Sequence, residues 1–567
     1  MRFGSRALAA LAAAVSILPN VSAISKITRT GRYLYKDDGS RFYIKGIAYQ
    51  EQGVVVASDD NAFGEPSTFV DPLALGDACS RDLPFLQQLG VNAVRVYSVN
   101  SSLNHDACMQ AFSNAGIYTI IDLALPLNGS IDRISPSWST NILDQYIRTI
   151  DTFAKYDNVL AYNVGNEVIL QDGTGVSPYV KAAARDIKAY LASKQSSALV
   201  GYAAINGAAN WRDALANFLS CDPSNGNSGS TAIDIYGLND YEWCGNSNFD
   251  SAYARTTADY AGYNVVAYFS EFGCITSPPR LWTEVGALFS SQMSDVWSGG
   301  IAFSYFQAAS VQGQFGMVTI SEDGKTVTTS DDFGRLRDQY TAATGPNSPS
   351  QGSVTASSFP TCPTANSTFV ASTNLPPTPN EAACNCLEST LSCRFTPATT
   401  NYSTTVGELI GTACSLLGQQ GGNCDDIGGN GTTGTYGRLS GCDPTIKLSF
   451  VMSQFYEATN RNPASCSFAG NATINTNAPS SVSAANSAAS SCVSNPAATF
   501  TPSAPASGGS GSSGNGGSNG NGGNGGSNSG SNGSSNGAIP LVAQTGAIVG
   551  LVSVTLVGIA SAFMTLA

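Results

Sequence analysis

Across 567 residues there is a single histidine, His105, and only 12% of the residues carry charge. One imidazole excludes a zinc site built on two histidines and leaves at most one place for Ser-His-Asp chemistry. Basic residues are scarce as well. The 27 Lys+Arg against 40 Asp+Glu give a formal net charge of −13, which opposes attraction to phosphate backbones, so no nucleic acid partner is expected. The segment Lys45-Gly46-Ile47-Ala48-Tyr49-Gln50 lacks the glycine-rich phosphate loop that a doubly wound dinucleotide-binding sheet needs after its first strand. Carboxylates are left as the candidate catalysts, and no metal or organic cofactor is implied.

The two ends point to a secretory route. Arg2 and Arg6 precede the apolar run Ala7–Leu18, and Val21-Ser22-Ala23 supplies small residues for cleavage, so residues 1–23 read as a removed signal peptide. No charged residue follows Arg461, and Ser507–Gly537 contains only Gly, Ser and Asn. Residues 493–537 therefore read as a disordered stalk. The closing run Ala547–Ala567 is long enough to cross a bilayer but has no basic stop-transfer residue behind it. Small residues at Asn536-Gly537-Ala538 fit GPI attachment at Asn536 with residues 538–567 removed, although Ile539–Ala543 is less polar than the usual spacer. The expected destination is the extracellular face of the plasma membrane, held to its outer leaflet, or the wall beyond it. Fourteen cysteines in that oxidising route read as seven disulfides rather than metal ligands. Sequons stand at Asn100, Asn128, Asn366, Asn401, Asn430, Asn471 and Asn532.

Cysteine density divides the chain. Six (Cys79, Cys108, Cys221, Cys244, Cys274, Cys362) are spread widely, and eight (Cys384, Cys386, Cys393, Cys414, Cys424, Cys442, Cys466, Cys492) crowd into about 110 residues. A large domain, 24–343, and a small stapled module, 380–492, follow from this, with a Pro-, Ser- and Asn-rich linker, 344–379, that Cys362 ties back to the first. Within 24–343, eight short apolar runs alternate with helical patterns: Phe42–Tyr49, Asn92–Tyr97, Tyr118–Leu123, Leu160–Val164, Leu199–Ala204, Ile233–Leu238, Val265–Ser270 and Ile301–Phe306. Helical spacing occupies Leu143–Tyr156, Pro178–Lys194 and Thr283–Trp297. Parallel strands with helical crossovers are the economical reading, and eight such units predict an α/β fold of the (β/α)8 TIM barrel type.

A barrel of this kind carries its active site at the carboxyl ends of the strands. The fourth run ends in Asn166-Glu167 and the seventh in Ser270-Glu271. Glutamates at those two ends can meet across a glycosidic bond at the roughly 5–5.5 Å that double displacement requires. Gln50, Arg95, Tyr97, Asp122, Asn239, Tyr241, Glu242 and Trp243 end or follow other runs and suit a sugar site, with flat rings for pyranose faces and polar groups for hydroxyls. Arg95 falls beneath the Glu271 position, where it would hold a carboxylate ionised, with an ordinary buried ion pair as the equal alternative. His105 reads as an exposed residue at a helix start and receives no role.

Tyr49-Gln50, Arg95-Val96-Tyr97, Gly165-Asn166-Glu167, Gly237 through Gly245, Ser270 through Cys274, Trp297-Ser298-Gly299-Gly300, the eight-cysteine module and the apolar tail occur in this order. With them the chain resembles the fungal GPI-anchored β-1,3-glucanosyltransferases of glycoside hydrolase family 72, over essentially its whole length. The resemblance implies Glu167 as acid/base and Glu271 as nucleophile, with Gln50, Tyr97, Asp122, Asn166 and Tyr241 lining sugar subsites. It implies internal cleavage of β-1,3-glucan and transfer of the fragment to the non-reducing end of another chain, by a monomer whose partners are donor and acceptor glucans. It also implies the pairs Cys79–Cys108, Cys221–Cys362, Cys244–Cys274, Cys384–Cys442, Cys386–Cys492, Cys393–Cys466 and Cys414–Cys424. The small domain resembles a carbohydrate-binding module of family 43, where Phe395 and Tyr456 read as core residues, with glucan contact as the alternative. Two departures stand out: Glu51-Gln52 replaces Pro-Gly after Tyr-Gln, and Phe303 stands where tyrosine is expected, with Tyr305 offered as a substitute subsite contact. A plain endo-glucanase is the runner-up. A glucan-binding wall protein on a dead barrel would be expected to lack a catalytic glutamate, and both are present.

Overall fold

The computed structural model describes residues 24–53, 68–126, 129–310, 312–399 and 402–505. The expected signal peptide, Asn128, Asn401, Asn532, Asn536 and the apolar tail lie outside the described residues.

The chain begins with a feature that strand counting misses, an antiparallel meander of β1 (Thr28–Thr30), β2 (Tyr33–Tyr35) and β3 (Arg41–Phe42). Its Leu34 and Phe42 are buried against Ala93, Tyr118, Leu160, Leu199 and Val266. These residues open successive strands, so the meander plugs the amino-terminal end of a barrel. Its staves are β4 (Ile44–Ala48), β5 (Ala93–Val96), β6 (Tyr118–Asp122), β7 (Val159–Asn166), β8 (Leu199–Ile205), β9 (Ile235–Asn239), β10 (Val266–Phe272) and β11 (Trp297–Ala302). All pair in parallel and β11 closes on β4, giving the eight-stranded ring. Outside run α1 (Gly76–Leu89), α2 (Asp106–Asn114), α3 (Thr140–Phe153), α4 (Ser177–Ser193), α5 (Ala209–Ser220), α6 (Phe249–Ala252), α7 (Ala254–Asp259), α8 (Glu284–Leu288) and α9 (Asp331–Ala342). On α3 the buried Ile142, Leu143, Tyr146, Ile147, Ile150 and Phe153 recur at three- and four-residue steps, which turns one stripe to the barrel.

Two expectations need correction here. The helix expected over Thr283–Trp297 ends at Leu288, and the eighth strand is Trp297–Ala302 rather than Ile301–Phe306. The physical reason is backbone contact. Gly299 has φ +90°, and a Cβ there would lie 2.1 Å from the Ile44 carbonyl oxygen, so the stave that closes the ring must be nearly bare. His105 is likewise not an exposed cap. It is buried with Nε2 2.9 Å from Asp71 Oδ2, and its ring stacks 4.5 Å from that of Phe153.

The seven disulfides join Cys79–Cys108, Cys221–Cys362, Cys244–Cys274, Cys384–Cys442, Cys386–Cys492, Cys393–Cys466 and Cys414–Cys424, the pairs the resemblance implies. The segment read as a linker is a strap packed along the barrel. Phe369 is fully buried against Phe218 at 5.5 Å, and Arg185 Nη1 donates to Pro376 O at 2.9 Å. The first residues of the expected stalk are also fastened, since Thr378 N donates to Ala498 O at 3.2 Å.

The small module comprises α10 (Glu381–Thr390), α11 (Ser403–Gln419), α12 (Pro444–Ala458) and α13 (Val482–Cys492), with Cys393–Phe395 paired antiparallel to Ala472–Ile474. Phe395 and Tyr456 are buried in its core beside Leu387, Leu448 and Val451. It docks on the barrel through Thr140 N donating to Gly441 O at 2.9 Å and the Tyr179 and Tyr436 rings meeting edge-on at 5.6 Å. Asn100, Asn366 and Asn430 are exposed, whereas Asn471 is half-buried with Nδ2 donating to Phe468 O at 3.2 Å. Among the described residues no helix is long and apolar enough to cross a membrane.

Candidate active site

Glu167 and Glu271 both emerge at the carboxyl end of the ring, on staves β7 and β10, with β8 and β9 between them. Irregular pairing aims both groups. The β10 register slips against β9 between Phe269 and Glu271, as a bulge does when it redirects a side chain. Glu167 has φ +50°, a left-handed conformation that a glutamate adopts only under restraint. The restraint is visible: its N–H donates to Ala203 O at 2.8 Å, and its carbonyl accepts from Arg133 Nε at 3.1 Å.

The two carboxylates live in opposite surroundings. Glu271 is 8% exposed and accepts from Arg95 Nη1 at 3.2 Å and Tyr97 Oη at 2.9 Å on one oxygen, and from Tyr241 Oη at 2.8 Å on the other. Burial raises its pKa, while the Arg95 charge and the two tyrosine hydroxyls pull it back toward ionisation. Glu167 accepts from one neutral donor, Asn239 Nδ2, at 2.7 Å. Burial, then the negative charge of Glu271, pushes Glu167 up to about 7.

Arg95 organises the floor. It is fully buried, with Nη2 2.7 Å from Asp122 Oδ2 and 2.8 Å from Asn166 Oδ1, and its guanidinium lies 4.2 Å from the centre of the Tyr97 ring. Burial opposes its charge, but Asp122, Tyr97 and Glu271 outweigh that and keep it protonated. Asn239 links the halves, since Nδ2 reaches Glu167 and Asn166 while Oδ1 accepts from Ser270 Oγ at 2.7 Å. Arg95 Nη1, which can only donate, stands 3.5 Å from the same Oδ1 and fixes the amide with its donor side toward Glu167.

The expected subsite residues divide. Tyr97, Asn166 and Tyr241 are half-buried around the carboxylates, and Phe303 packs edge-on to Tyr97 at 6.2 Å and Tyr241 at 6.5 Å. Asp122 is 2% exposed and bound to Arg95 and Asn163, so it supports the floor instead of lining a cleft. Gln50 spends its amide on the backbone, accepting from Tyr97 N at 3.2 Å and Ser98 N at 3.1 Å and donating to Val70 O at 2.6 Å. Tyr305 is fully buried and donates to Asp82 Oδ1 at 3.1 Å, which removes it from the subsites. Glu51 is half-buried with its pKa raised by burial. Arg133 and Phe315 carry no local signal in the sequence. The first is one cation in an irregular loop, and the second reaches Tyr241 at 5.6 Å only through tertiary folding.

Comparison with known proteins gives the family. Residues 16–344 match the glucanosyltransferase family, and residues 391–473 match the X8 domain, which corresponds to carbohydrate-binding module family 43. The chain is 40% identical over 461 residues to 1,3-beta-glucanosyltransferase gas1 of Schizosaccharomyces pombe, covering 80% of this chain and 79% of that one. It is 37% identical to 1,3-beta-glucanosyltransferase GAS2 of Saccharomyces cerevisiae over 446 residues, 77% of each. Among solved structures, a Saccharomyces cerevisiae Gas2p mutant in complex with laminaritetraose and laminaripentaose superposes with TM-score 0.70 at 33% identity, covering 82% of this chain and 98% of that one. The chain therefore belongs to the glucanosyltransferases of glycoside hydrolase family 72.

Proposed function

We propose that this protein is a retaining β-1,3-glucanosyltransferase that cuts β-1,3-glucan internally and joins the fragment to the non-reducing end of another chain, elongating wall glucan. The observation that carries the roles is the contrast between the two carboxylates. A group facing an arginine and two hydroxyls is suited to attack as an anion, and one beside a neutral amide with pKa about 7 is suited to hold a proton.

In the first half-reaction a Glu271 oxygen bonds to the anomeric carbon as the glycosidic C–O bond breaks, and Glu167 gives its proton to the departing oxygen. In the second, the Glu167 carboxylate takes the proton of an acceptor 3-hydroxyl, whose oxygen attacks the anomeric carbon and releases Glu271. Transfer prevails over hydrolysis when the acceptor chain occupies the site before water does, which is a matter of positioning. The half-buried Tyr97, Tyr241 and Phe303 supply ring surface for the sugar beside the nucleophile. The same reading places a monomer on the outer leaflet through a GPI anchor, supported by the apolar tail after Asn536 and the absence of charge beyond Arg461.

The test is incubation of the purified protein with a reduced laminari-oligosaccharide of defined length, with products resolved by mass. Products longer than the starting sugar are expected, and none from Glu167→Gln or Glu271→Gln. Only shorter products would make the protein a hydrolase, and no turnover with retained glucan binding would make it a wall-binding protein.

A further inference from the structure

The seam between the barrel and the small module encloses a polar pocket of about 260 Å³ that the mechanism above does not use. Its barrel wall is the loop from Ile134 to Ser137 together with Tyr179, and its module wall includes Ile427, Ser440 and Lys447. Three features distinguish it from ordinary interdomain packing. Lys447 is 8% exposed, yet among the described residues its hydrogen-bond acceptor is the Ser137 hydroxyl at 3.2 Å, which leaves most of a three-proton donor unspent. The buried hydroxyls of Tyr179 and Ser440, on opposite walls, have no hydrogen-bond partner among the described residues. Ile134, by contrast, stands 89% exposed at the rim, an apolar side chain held in solvent beside a polar hollow.

The chemistry of the walls selects the occupant. Burial pulls Lys447 down to about 8, and the charge acting on it is the Asp443 carboxylate at the N-cap of α12, one turn earlier. A pocket for an anion would bring a second cation or converging N–H groups, and here the neighbouring charge has the same sign as the anion. Hydroxyl and ammonium groups set among the Ile134 and Ile427 side chains suit a neutral ligand that offers many hydroxyls on an apolar ring. The volume lies just under the roughly 300–1,000 Å³ of sites for drug-sized ligands, room for a sugar ring or two.

Location gives it a purpose. Ile134 follows Arg133, whose guanidinium holds the Glu167 carbonyl at 3.1 Å. Four residues of extended chain reach at most about 14 Å, so the barrel wall of the pocket runs directly on from the residue that braces the Glu167 backbone. We propose that the seam pocket is a distal glucan subsite, binding a glucosyl unit of a chain whose other part lies in the catalytic cleft, so that barrel and module grip one polymer. The inference rests on the glucanosyltransferase reading above and adds a site to it.

The test compares the intact protein with Ile134→Ser and Lys447→Met on laminari-oligosaccharides of increasing length. The measure is the ratio of kcat/KM on the longest substrate to that on the shortest active one. A fall of about 5- to 10-fold in that ratio, expressed through KM, is expected for each variant. Titration of a long laminari-oligosaccharide into the Glu271→Gln protein, with and without Ile134→Ser, should show the same loss in affinity. Unchanged length ratios in both variants overturn the subsite, as does a loss equal at every length, which would mark a structural effect. Should Lys447→Met fail to fold, Ile134→Ser alters an exposed side chain and decides the matter alone. Competition by inorganic phosphate would make the pocket an anion site and also overturn the proposal. Failure of the parent protein to lengthen any glucan would instead sink the reading of the catalytic centre, a separate result.

Discussion

The Tyr241 hydroxyl is the most direct handle on the nucleophile. It donates to Glu271 Oε2 at 2.8 Å, while its ring is held by Phe315 at 5.6 Å and Phe303 at 6.5 Å, so Tyr241→Phe deletes the donor and keeps the ring in place. A hydrogen bond to a charged acceptor contributes about 1.5–3 kcal/mol, which at 1.36 kcal/mol per unit corresponds to a rise of roughly 1–2 units in the Glu271 pKa. In kcat/KM the acid limb reports ionisation of the free nucleophile, and the basic limb reports loss of the proton from Glu167, near 7. The acid limb should therefore move up by about 1–2 units. The basic limb should hold, because Glu271 ionises before Glu167 and still supplies the charge that helps to raise it. The bell narrows and its optimum shifts to higher pH. The assay is release of fragments from a reduced laminari-oligosaccharide across pH 3 to 9 under kcat/KM conditions. A uniform loss at every pH with the acid limb unmoved would refute the reasoning and transfer the hydroxyl from the nucleophile to the substrate.

Two further outcomes concern stability. Glu167 has a pKa raised from 4.5 to about 7 by folding, so its contribution to stability is fully present below pH 4.5 and is lost as pH rises to 7. That loss amounts to about 3 kcal/mol, and Glu167→Gln escapes it; the gain in Tm of the variant over the parent should be larger at pH 7.5 than at pH 4, and an equal gain at both would contradict the shift. Gly299→Ala puts a Cβ 2.1 Å from the Ile44 carbonyl at φ +90°, and should abolish secretion of folded protein, whereas a yield like the parent's would show that the ring tolerates a side chain there.

Residues whose role is written by their own neighbours were legible. Glu167 and Glu271 each end an apolar run, and counting those runs to eight was enough to place the pair on the fourth and seventh staves. Where the structure depends on what lies across the fold, the sequence was silent or misleading. The closing stave, Trp297–Ala302, must be glycine-rich to lie against Ile44 and Phe269, so its first residues fall between the expected helix and the expected eighth run, while the aromatic stretch after it imitates a strand. His105 sits at a helix start that is ordinarily exposed, and only the arrival of Asp71 and Phe153 buries it. Residue type also conceals the division of labour within the site. Gln50, Asp122 and Tyr305 are the kinds of side chain a sugar site uses, and each is instead committed to the frame by a partner remote in sequence: Tyr97 N, Arg95 and Asp82. Asn239 gives the same lesson in reverse. One amide, turned by Arg95 so that its Nδ2 faces Glu167, gives that carboxyl a single neutral donor whose pull toward ionisation is outweighed by burial and by the Glu271 charge, and the contrast between acid and nucleophile lies in what surrounds each glutamate.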